Sequence, residues 1–306
     1  MKKLMIGIVL TISVFVLSLY LFLPGKQQIN EFVNVKAAMS GVTRLLSNDS
    51  NWYKWWPGDT AFTFNRKTYF IKAYHLNAFD IAITKPDASL ESRITLVFLD
   101  DDSTSVRWHA SLENTFDLFK RISHYRKVKE IGKDLNAILT SLKKFAERPE
   151  NIYGIRVIKT KVADSVLIST RRSFTREPGV HDINRMIQDL RNYIMKNGAK
   201  EKNSPMLNIK QVDSSYYEVM TAIAVDRELP TTNQFAAKFM LKGGNILEAE
   251  IKGGPYTIEN AFNVLEIYRA DHNYTSPAIP FQMLVTDRAR ETDTTKWITK
   301  LYYPIL

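Results

Sequence analysis

The chain has 306 residues, of which 45% are hydrophobic and 24% are charged, a composition typical of a folded protein of about two domains and not of a disordered one. It contains no cysteine, which excludes disulfides, thiol nucleophiles, thiolate zinc sites and a lipoprotein anchor. The net charge of +10 is spread along the chain, without zinc-finger spacing or an aromatic RNA-binding motif, so nucleic acid is not expected as a partner.

The first predicted element is an apolar helix. Lys2 and Lys3 precede the stretch 4–23, which holds no charged residue and is long enough to cross the ~30 Å hydrocarbon layer of a bilayer. We therefore predict a membrane anchor over residues 1–25 and a single-pass protein. The alternatives are a cleaved signal peptide, although no small-residue cleavage site follows the stretch, and a buried core helix. The basic N-terminal end favours a soluble body outside the cytoplasm, in the periplasm of a diderm bacterium.

Residues 30–148 are predicted to form one α+β domain. A short helix over 37–46 leads into a segment that contains Trp52, Trp55 and Trp56. Alternating apolar and polar residues then predict antiparallel strands at 61–64, 68–75, 81–83, 92–98 and 105–111. An amphipathic helix over 132–147 ends the domain, and the basic residues between 120 and 129 are expected to form a solvated surface.

This order of elements resembles the START-like, polyketide-cyclase-type (SRPBCC) superfamily and its helix-grip fold. The resemblance covers residues 30–148 and depends most on the early helix followed by the tryptophans. It implies an apolar cavity between sheet and long helix, with Trp108, Phe70, Leu139 and Leu142 as candidate walls. The alternative is that these four side chains simply fill the core.

Residues 152–306 contain an internal repeat of one strand, one helix and two strands. The two helices are predicted at 181–195 and 257–269, and their apolar faces begin at Ile183 and Ile258. The strands are predicted at 165–173, 206–212 and 216–225 in the first repeat, and at 236–252, 279–286 and 297–304 in the second. The whole chain is therefore predicted to be α+β, with an N-terminal transmembrane helix, a helix-grip domain and a duplicated strand–helix–strand–strand domain.

The duplicated segment resembles the GyrI-like (AraC-type) effector-binding domain. Three motifs of the second repeat carry the resemblance: KGGPY at 252–256, PFQMLVTD at 280–287 and KWITKLYYPI at 296–305. The resemblance covers residues 152–306 and implies a small-molecule groove between the repeats. Regulators with this domain normally carry a DNA-binding segment, and here a membrane anchor and a START-like domain stand in its place.

Five residues are candidates for ligand binding. Aromatic rings line ligand pockets as readily as they fill cores, which singles out Tyr256, Trp297 and Tyr302 in the motifs, and Phe174 after the first strand of the first repeat. The resemblance places Gln282 where many members carry a glutamate that meets a cationic ligand. An amide neither neutralises a cation nor acts as a general base near neutral pH, so that function is in doubt here.

No pattern of catalytic or metal-binding residues is found. The five histidines lack zincin spacing, and the sequence has no Gly-x-Ser-x-Gly elbow or phosphate-binding loop. We predict no metal and no cofactor. The sequence favours a membrane-anchored protein that binds a small hydrophobic or amphipathic molecule, and it leaves the oligomeric state open. A hydrolase that uses one of the two cavities and a scaffold at the membrane surface are the alternatives.

Overall fold

The computed structural model describes residues 2–59, 61–85, 88–112 and 115–306, and the chain divides into two compact units, Met1–Ile152 and Tyr153–Leu306. Both units are mixed α+β and each is built on one antiparallel sheet. An apolar helix stands at the N-terminus of the first unit.

The first unit contains the following helices and strands in chain order: α1 (Lys2–Phe22), β1 (Gln28–Val35), α2 (Met39–Ser47), a 3-10 helix (Asp49–Lys54), β2 (Thr63–Phe64), β3 (Lys67–Tyr74), β4 (Ala78–Lys85), β5 (Ala88–Asp100), β6 (Ser103–Ser111), α3 (Leu118–Ala146) and α4 (Pro149–Tyr153). The strands form one sheet in the order β1–β6–β5–β4–β3–β2. Strand β1 reaches the far edge by pairing with β6, and α3 packs along β1. A two-residue turn at Asn65 and Arg66, both with positive φ, joins β2 to β3.

Tryptophan side chains fill the space between sheet and helices. Trp52 stacks on Trp56 with ring centroids 5.8 Å apart, and both belong to one core cluster with Trp108. Leu139 and Leu142 of α3 are buried in the same cluster. These side chains pack on one another as core residues.

Phe70 does not share a wall with those residues. It is 44% exposed and follows the buried Tyr69 on β3, so it projects from the opposite face of the sheet. The candidate wall suggested by the resemblance is therefore wrong at this position.

Helix α3 starts fourteen residues before the predicted start at 132. Asp117 caps it by accepting hydrogen bonds from the backbone amides of Phe119 and Lys120. Its first three turns lie mostly exposed, which is why this stretch shows no apolar periodicity. Strand β1 is also absent from the sequence-based prediction, because its central residues alternate between exposed and half-buried.

The second unit contains β7 (Ile158–Lys161), β8 (Val166–Phe174), α5 (Val180–Lys196), β9 (Met206–Asp213), β10 (Tyr216–Ala224), β11 (Ala236–Phe239), β12 (Asn245–Lys252), α6 (Pro255–Asp271), β13 (Phe281–Leu284), a 3-10 helix (Thr294–Lys296) and β14 (Ile298–Pro304). The strand order is β11–β8–β10–β9–β13–β14–β12–β7. This order is symmetric about the central β9–β13 pair, where Gln282 lies opposite Leu207. The two repeats therefore continue one sheet across a pseudo-twofold axis.

Both long helices cover one face of this sheet. The apolar side chains of α5 pack with Leu207 and Leu284, and those of α6 pack with Leu247 and Leu301. Because residues alternate along a strand, their neighbours project from the other face. We call the covered side the helical face and the other side the open face.

Candidate functional site

Gln282 lies on the helical face at the centre of the sheet, paired in register with Leu207 and Leu301. Arg288 follows β13 in a loop that turns back toward the sheet. Its Nη2 atom donates hydrogen bonds to Gln282 Oε1 and to Thr299 Oγ1, each 2.9 Å long. Because arginine has no acceptor, the amide of Gln282 must present its oxygen.

Trp297 supports the same guanidinium from one side. The guanidinium carbon of Arg288 lies 4.6 Å from the Trp297 ring centroid, which is cation–π geometry. Trp297 is buried, and its Nε1 donates to the Glu291 carbonyl oxygen over 2.9 Å. A 3-10 turn capped by Asp293 ends at this tryptophan and fixes its position.

Arg288 is a largely buried cation that has few partners for its charge. Burial lowers its pKa to about 10, so it is still protonated near neutral pH. Its Nε atom is buried and, among the residues that the structure describes, has no hydrogen-bond partner. Within the described ranges its side chain contacts two neutral oxygens and forms no ion pair. The charge is therefore uncompensated within the unit.

Arg288 lines a cavity of about 480 Å3 on the helical face, which we call the polar cavity. It lies between α5 and the segment 284–289. Its lining combines apolar, polar and charged side chains: Val180, Ile183, Asn184, Ile187, Arg191, Glu201, Lys202, Asn203, Ser204, Pro205, Leu284, Val285, Thr286, Asp287, Arg288 and Ala289.

A second cavity, of about 380 Å3, lies on the open face of the same sheet, and we call it the apolar cavity. Strand residues from both repeats form its floor, among them Leu167, Met206, Ala222 and Phe281. Met220 and Met240 line it as well, and methionine side chains adapt to ligands of different shape. Arg171, Lys238 and Asn245 add polar groups to its lining.

The five sequence-predicted ligand residues do not form one site. Gln282 and Trp297 meet through Arg288 on the helical face. Tyr302 lies on the open face, where its ring stacks on Phe281 with centroids 5.1 Å apart. Burial and the nearby Glu248 carboxylate raise the pKa of Tyr302 well above its usual value.

The other two predicted residues lie elsewhere. Phe174, at the end of β8, packs against the apolar cluster under α5. Tyr256 is in the first turn of α6 and is 77% exposed. The glycines before it have a backbone role: Gly253 has a φ of 146°, and a Cβ there would lie 2.9 Å from Thr257 Cβ.

Sequence reasoning missed Arg288 and the apolar cavity. Arg288 is a single basic residue in a loop, and no spacing distinguishes it from the other arginines of the chain. The apolar cavity did leave a signal. Met206 and Met220 line it and alternate on their strands with residues of the helical face, and this pair of methionines could have been recognised.

No metal site is found among the residues described. Within those ranges, no group of three or more histidine, aspartate or glutamate side chains could hold a metal ion.

Helix α1 is long and apolar enough to cross a membrane. Its segment Met5–Phe22 has a mean hydropathy of 2.5, and none of it is buried. A signal sequence meets the same criteria.

Arg121 of α3 joins the C-terminal end of α1 to the rest of the unit. It donates from Nη1 to the Leu23 carbonyl oxygen over 3.0 Å and lies 4.7 Å from the Tyr20 ring centroid.

No protein-family model matches the chain, and no curated protein matches it in sequence. Several solved structures resemble a part of the chain. The EcmrR C-terminal domain is 14% identical, covers 50% of this chain and 98% of its own, and has a TM-score of 0.42. The Zhui aromatase/cyclase from a Streptomyces species is 11% identical, covers 40% and 94%, and has a TM-score of 0.28. A START superfamily protein from Mycobacterium smegmatis is 14% identical, covers 38% and 98%, and has a TM-score of 0.25. Similarity at this level establishes neither a family nor a ligand.

Proposed function

We propose that this chain is a membrane-attached protein whose second unit binds a small hydrophobic or amphipathic molecule in the apolar cavity. One observation carries the proposal: the open face of the sheet holds a concave, methionine-rich apolar cavity of about 380 Å3. Ligand pockets are concave, mostly apolar and about 300–1,000 Å3 in volume, with a few polar groups that orient the ligand.

The rim of the cavity supports an amphipathic ligand. Phe239, Leu241, Ile279 and Leu306 line it and are between 49% and 77% exposed, so a bound molecule would remove apolar surface from water. Lys238 and Arg171 lie in the same lining and could meet a polar head group. The ligand would thus be apolar for most of its length and polar at one end.

Membrane attachment through α1 is part of the proposal. The helix has the length and hydropathy of a membrane span, and Arg121 donates to the carbonyl oxygens of Tyr20, in its last turn, and of Leu23, which follows it. The basic N-terminal end supports an extracytoplasmic location for the rest of the chain, because positive residues favour the cytoplasmic side of a membrane.

Photolabelling of the full chain in nanodiscs tests whether the apolar cavity binds an amphipathic molecule. We expect a long-chain alcohol that carries a diazirine to label peptides with Met206, Met220 or Phe281, and also α1, which serves as the internal reference. Ala222→Phe places a ring at the cavity floor and should reduce labelling of those peptides by about tenfold, since the space is already present and little repacking is needed.

The matched control is Ala270→Phe, which adds the same ring at an exposed position of α6 and should leave labelling unchanged. Labelling confined to α1, or cavity labelling that persists in Ala222→Phe, would contradict the proposal.

A further inference from the structure

We infer that the polar cavity binds a small organic anion whose carboxylate or phosphate oxygens pair with the Arg288 guanidinium. This site is on the helical face and is independent of the apolar cavity on the open face. Within the described ranges, Arg288 donates two side-chain hydrogen bonds, and both come from Nη2. Nη1 therefore remains for an acceptor from outside the chain.

The other charges of the cavity do not neutralise Arg288. Glu201 accepts hydrogen bonds from Arg191, the shorter one being 3.1 Å. Asp287 accepts from the Ala289 backbone amide over 3.0 Å and lies 3.5 Å from Arg290 Nε. Both carboxylates of the lining thus have partners of their own.

Lys202 adds to the lining a second positive charge, besides Arg288, that no carboxylate of the lining neutralises. It is exposed, and its ammonium forms no ion pair with any residue in the described parts of the chain. The cavity is therefore net positive, which favours an anion over a cation.

The guanidinium is held in place before any ligand arrives. Trp297 stacks on it, and Gln282 and Thr299 fix Nη2, so little side-chain entropy is lost when an oxyanion binds. A charge-assisted hydrogen bond from a partly buried arginine is stronger than a neutral one. These contacts pre-organise the cation for a carboxylate or phosphate.

The rest of the lining indicates that the anion has an apolar body. Ile183 and Ile187 of α5 and Leu284 of β13 are buried and line the cavity. A volume of about 480 Å3 accommodates a molecule larger than inorganic phosphate. The expected class is an aromatic or branched carboxylic acid or phosphate ester.

Isothermal titration calorimetry of the full chain in phosphatidylcholine nanodiscs tests the inference, with benzoate and phenyl phosphate as probes and benzyl alcohol as the neutral control. We expect at least one anion to bind about tenfold or more tightly than the alcohol, because only the anion gains the charge-assisted contact. Anion binding should weaken as the salt concentration rises from 50 to 500 mM, because salt screens the attraction between the anion and the positive side chains. The loss of affinity should be larger the more exposed the site is to solvent.

Two variants act on the site by different routes. Arg288→Met removes the charge and keeps a long side chain, and Gln282→Glu supplies an internal carboxylate that competes with the ligand for the guanidinium. Each should weaken anion binding by about tenfold. Lys252→Met, which removes a positive charge at an exposed position of β12 outside the cavity lining, should leave binding within about twofold.

If Arg288→Met does not fold, Gln282→Glu decides the question, because it removes no contact of the native chain. Absence of binding by both anions to the wild-type chain overturns the inference. Anion binding that survives in Gln282→Glu and in any folded Arg288→Met protein also overturns it. Photolabelling of the apolar cavity is independent of all these results.

Discussion

Lys67 Nζ lies 2.6 Å from Asp134 Oδ2 and joins the first residue of β3 to the middle of α3. Lys67 is fully buried, and Asp134 is 3% exposed. Glu130 Oε1 lies 2.6 Å from the same ammonium, and Asn65 Nδ2 donates to Asp134 Oδ1 over 2.7 Å. The helix is thus tied to the sheet by a buried ionic cluster and by apolar packing together.

Lys67→Met is expected to destabilise the first unit by about 3–5 kcal/mol. The change leaves the Asp134 carboxylate buried without its cation, which costs more than the pair itself contributes. Tryptophan fluorescence during urea unfolding measures the effect, because four of the five tryptophans, Trp52, Trp55, Trp56 and Trp108, lie in this unit.

The matched control is Lys72→Met on the same strand. Lys72 pairs with Glu91 at the surface, where the two side chains are 49% and 61% exposed, so the expected change is below about 1 kcal/mol. Equal effects of the two substitutions would show that burial of the Lys67 pair has no energetic consequence.

The stability of the first unit is expected to fall at alkaline pH. Burial alone lowers the pKa of Lys67, but its hydrogen bonds to Asp134 and Glu130 outweigh burial and raise it above the ordinary 10.5. Burial also raises the pKa of Tyr69, from 10.0. A group whose pKa is raised by folding contributes its stability below the unfolded value and loses it as pH rises. Urea midpoints should therefore decline from about pH 10 upward.

Tyr69→Phe isolates one contribution to this decline. The Tyr69 hydroxyl is buried and has no hydrogen-bond partner among the described residues, so its removal should change stability at pH 7 by at most about 1 kcal/mol, and in the favourable direction. Above pH 10 the variant should lose stability less steeply than the wild type, because no phenol remains to ionise on unfolding. Parallel pH profiles of the two proteins would be inconsistent with this account.

The duplicated part of the fold was predictable because its signals are periodic. The apolar faces of α5 and α6 repeat at helical spacing, and Ile183, Met186 and Leu190 of the first helix are buried as that spacing requires. The strands of both repeats follow from alternation in the same way. A mixed α+β chain with an apolar N-terminal helix is confirmed.

The candidate site was less accessible to sequence reasoning. Gln282 and Trp297 could be singled out from motifs, but the arginine that joins them comes from a loop whose path no periodicity encodes. Tyr302 belongs to the same motif as Trp297, but the pleat places it on the other face, next to Phe281. Which face a residue occupies depends on register, and the register was known only once the β13–β14 pairing was in hand.

Arg121→Gln is expected to loosen the end of α1. Arg121 is 8% exposed, and its Nε donates to the Thr115 carbonyl oxygen over 2.8 Å while Nη1 donates to Leu23. The shorter amide of glutamine cannot span both acceptors, so the last carbonyls of the helix lose their partner. Amide hydrogen exchange of peptides around residues 23–28 and 115–121, measured by mass spectrometry in nanodiscs, should become about tenfold faster.

Lys120→Gln is the control for this change. Lys120 precedes Arg121 on α3 and is exposed, and the substitution removes the same charge without touching the α1 carbonyls. Exchange at 23–28 should stay at the wild-type rate. Faster exchange in both variants would point to the loss of charge on α3, and not to the Arg121 contacts, as the cause.

Gln282→Met is expected to weaken the centre of the second unit. Methionine matches glutamine in length but accepts no comparable hydrogen bond, so Arg288 loses one of its two acceptors while its Nε already lacks a partner. A loss of about 1.4 kcal/mol corresponds to tenfold faster amide exchange in β13 and β14, and this exchange is the measurement.

Gln211→Met, at an exposed position of β9, makes the same chemical change away from Arg288 and should leave exchange in both strands unaltered. Unaltered exchange in Gln282→Met as well would mean that Thr299 and Trp297 alone hold the guanidinium.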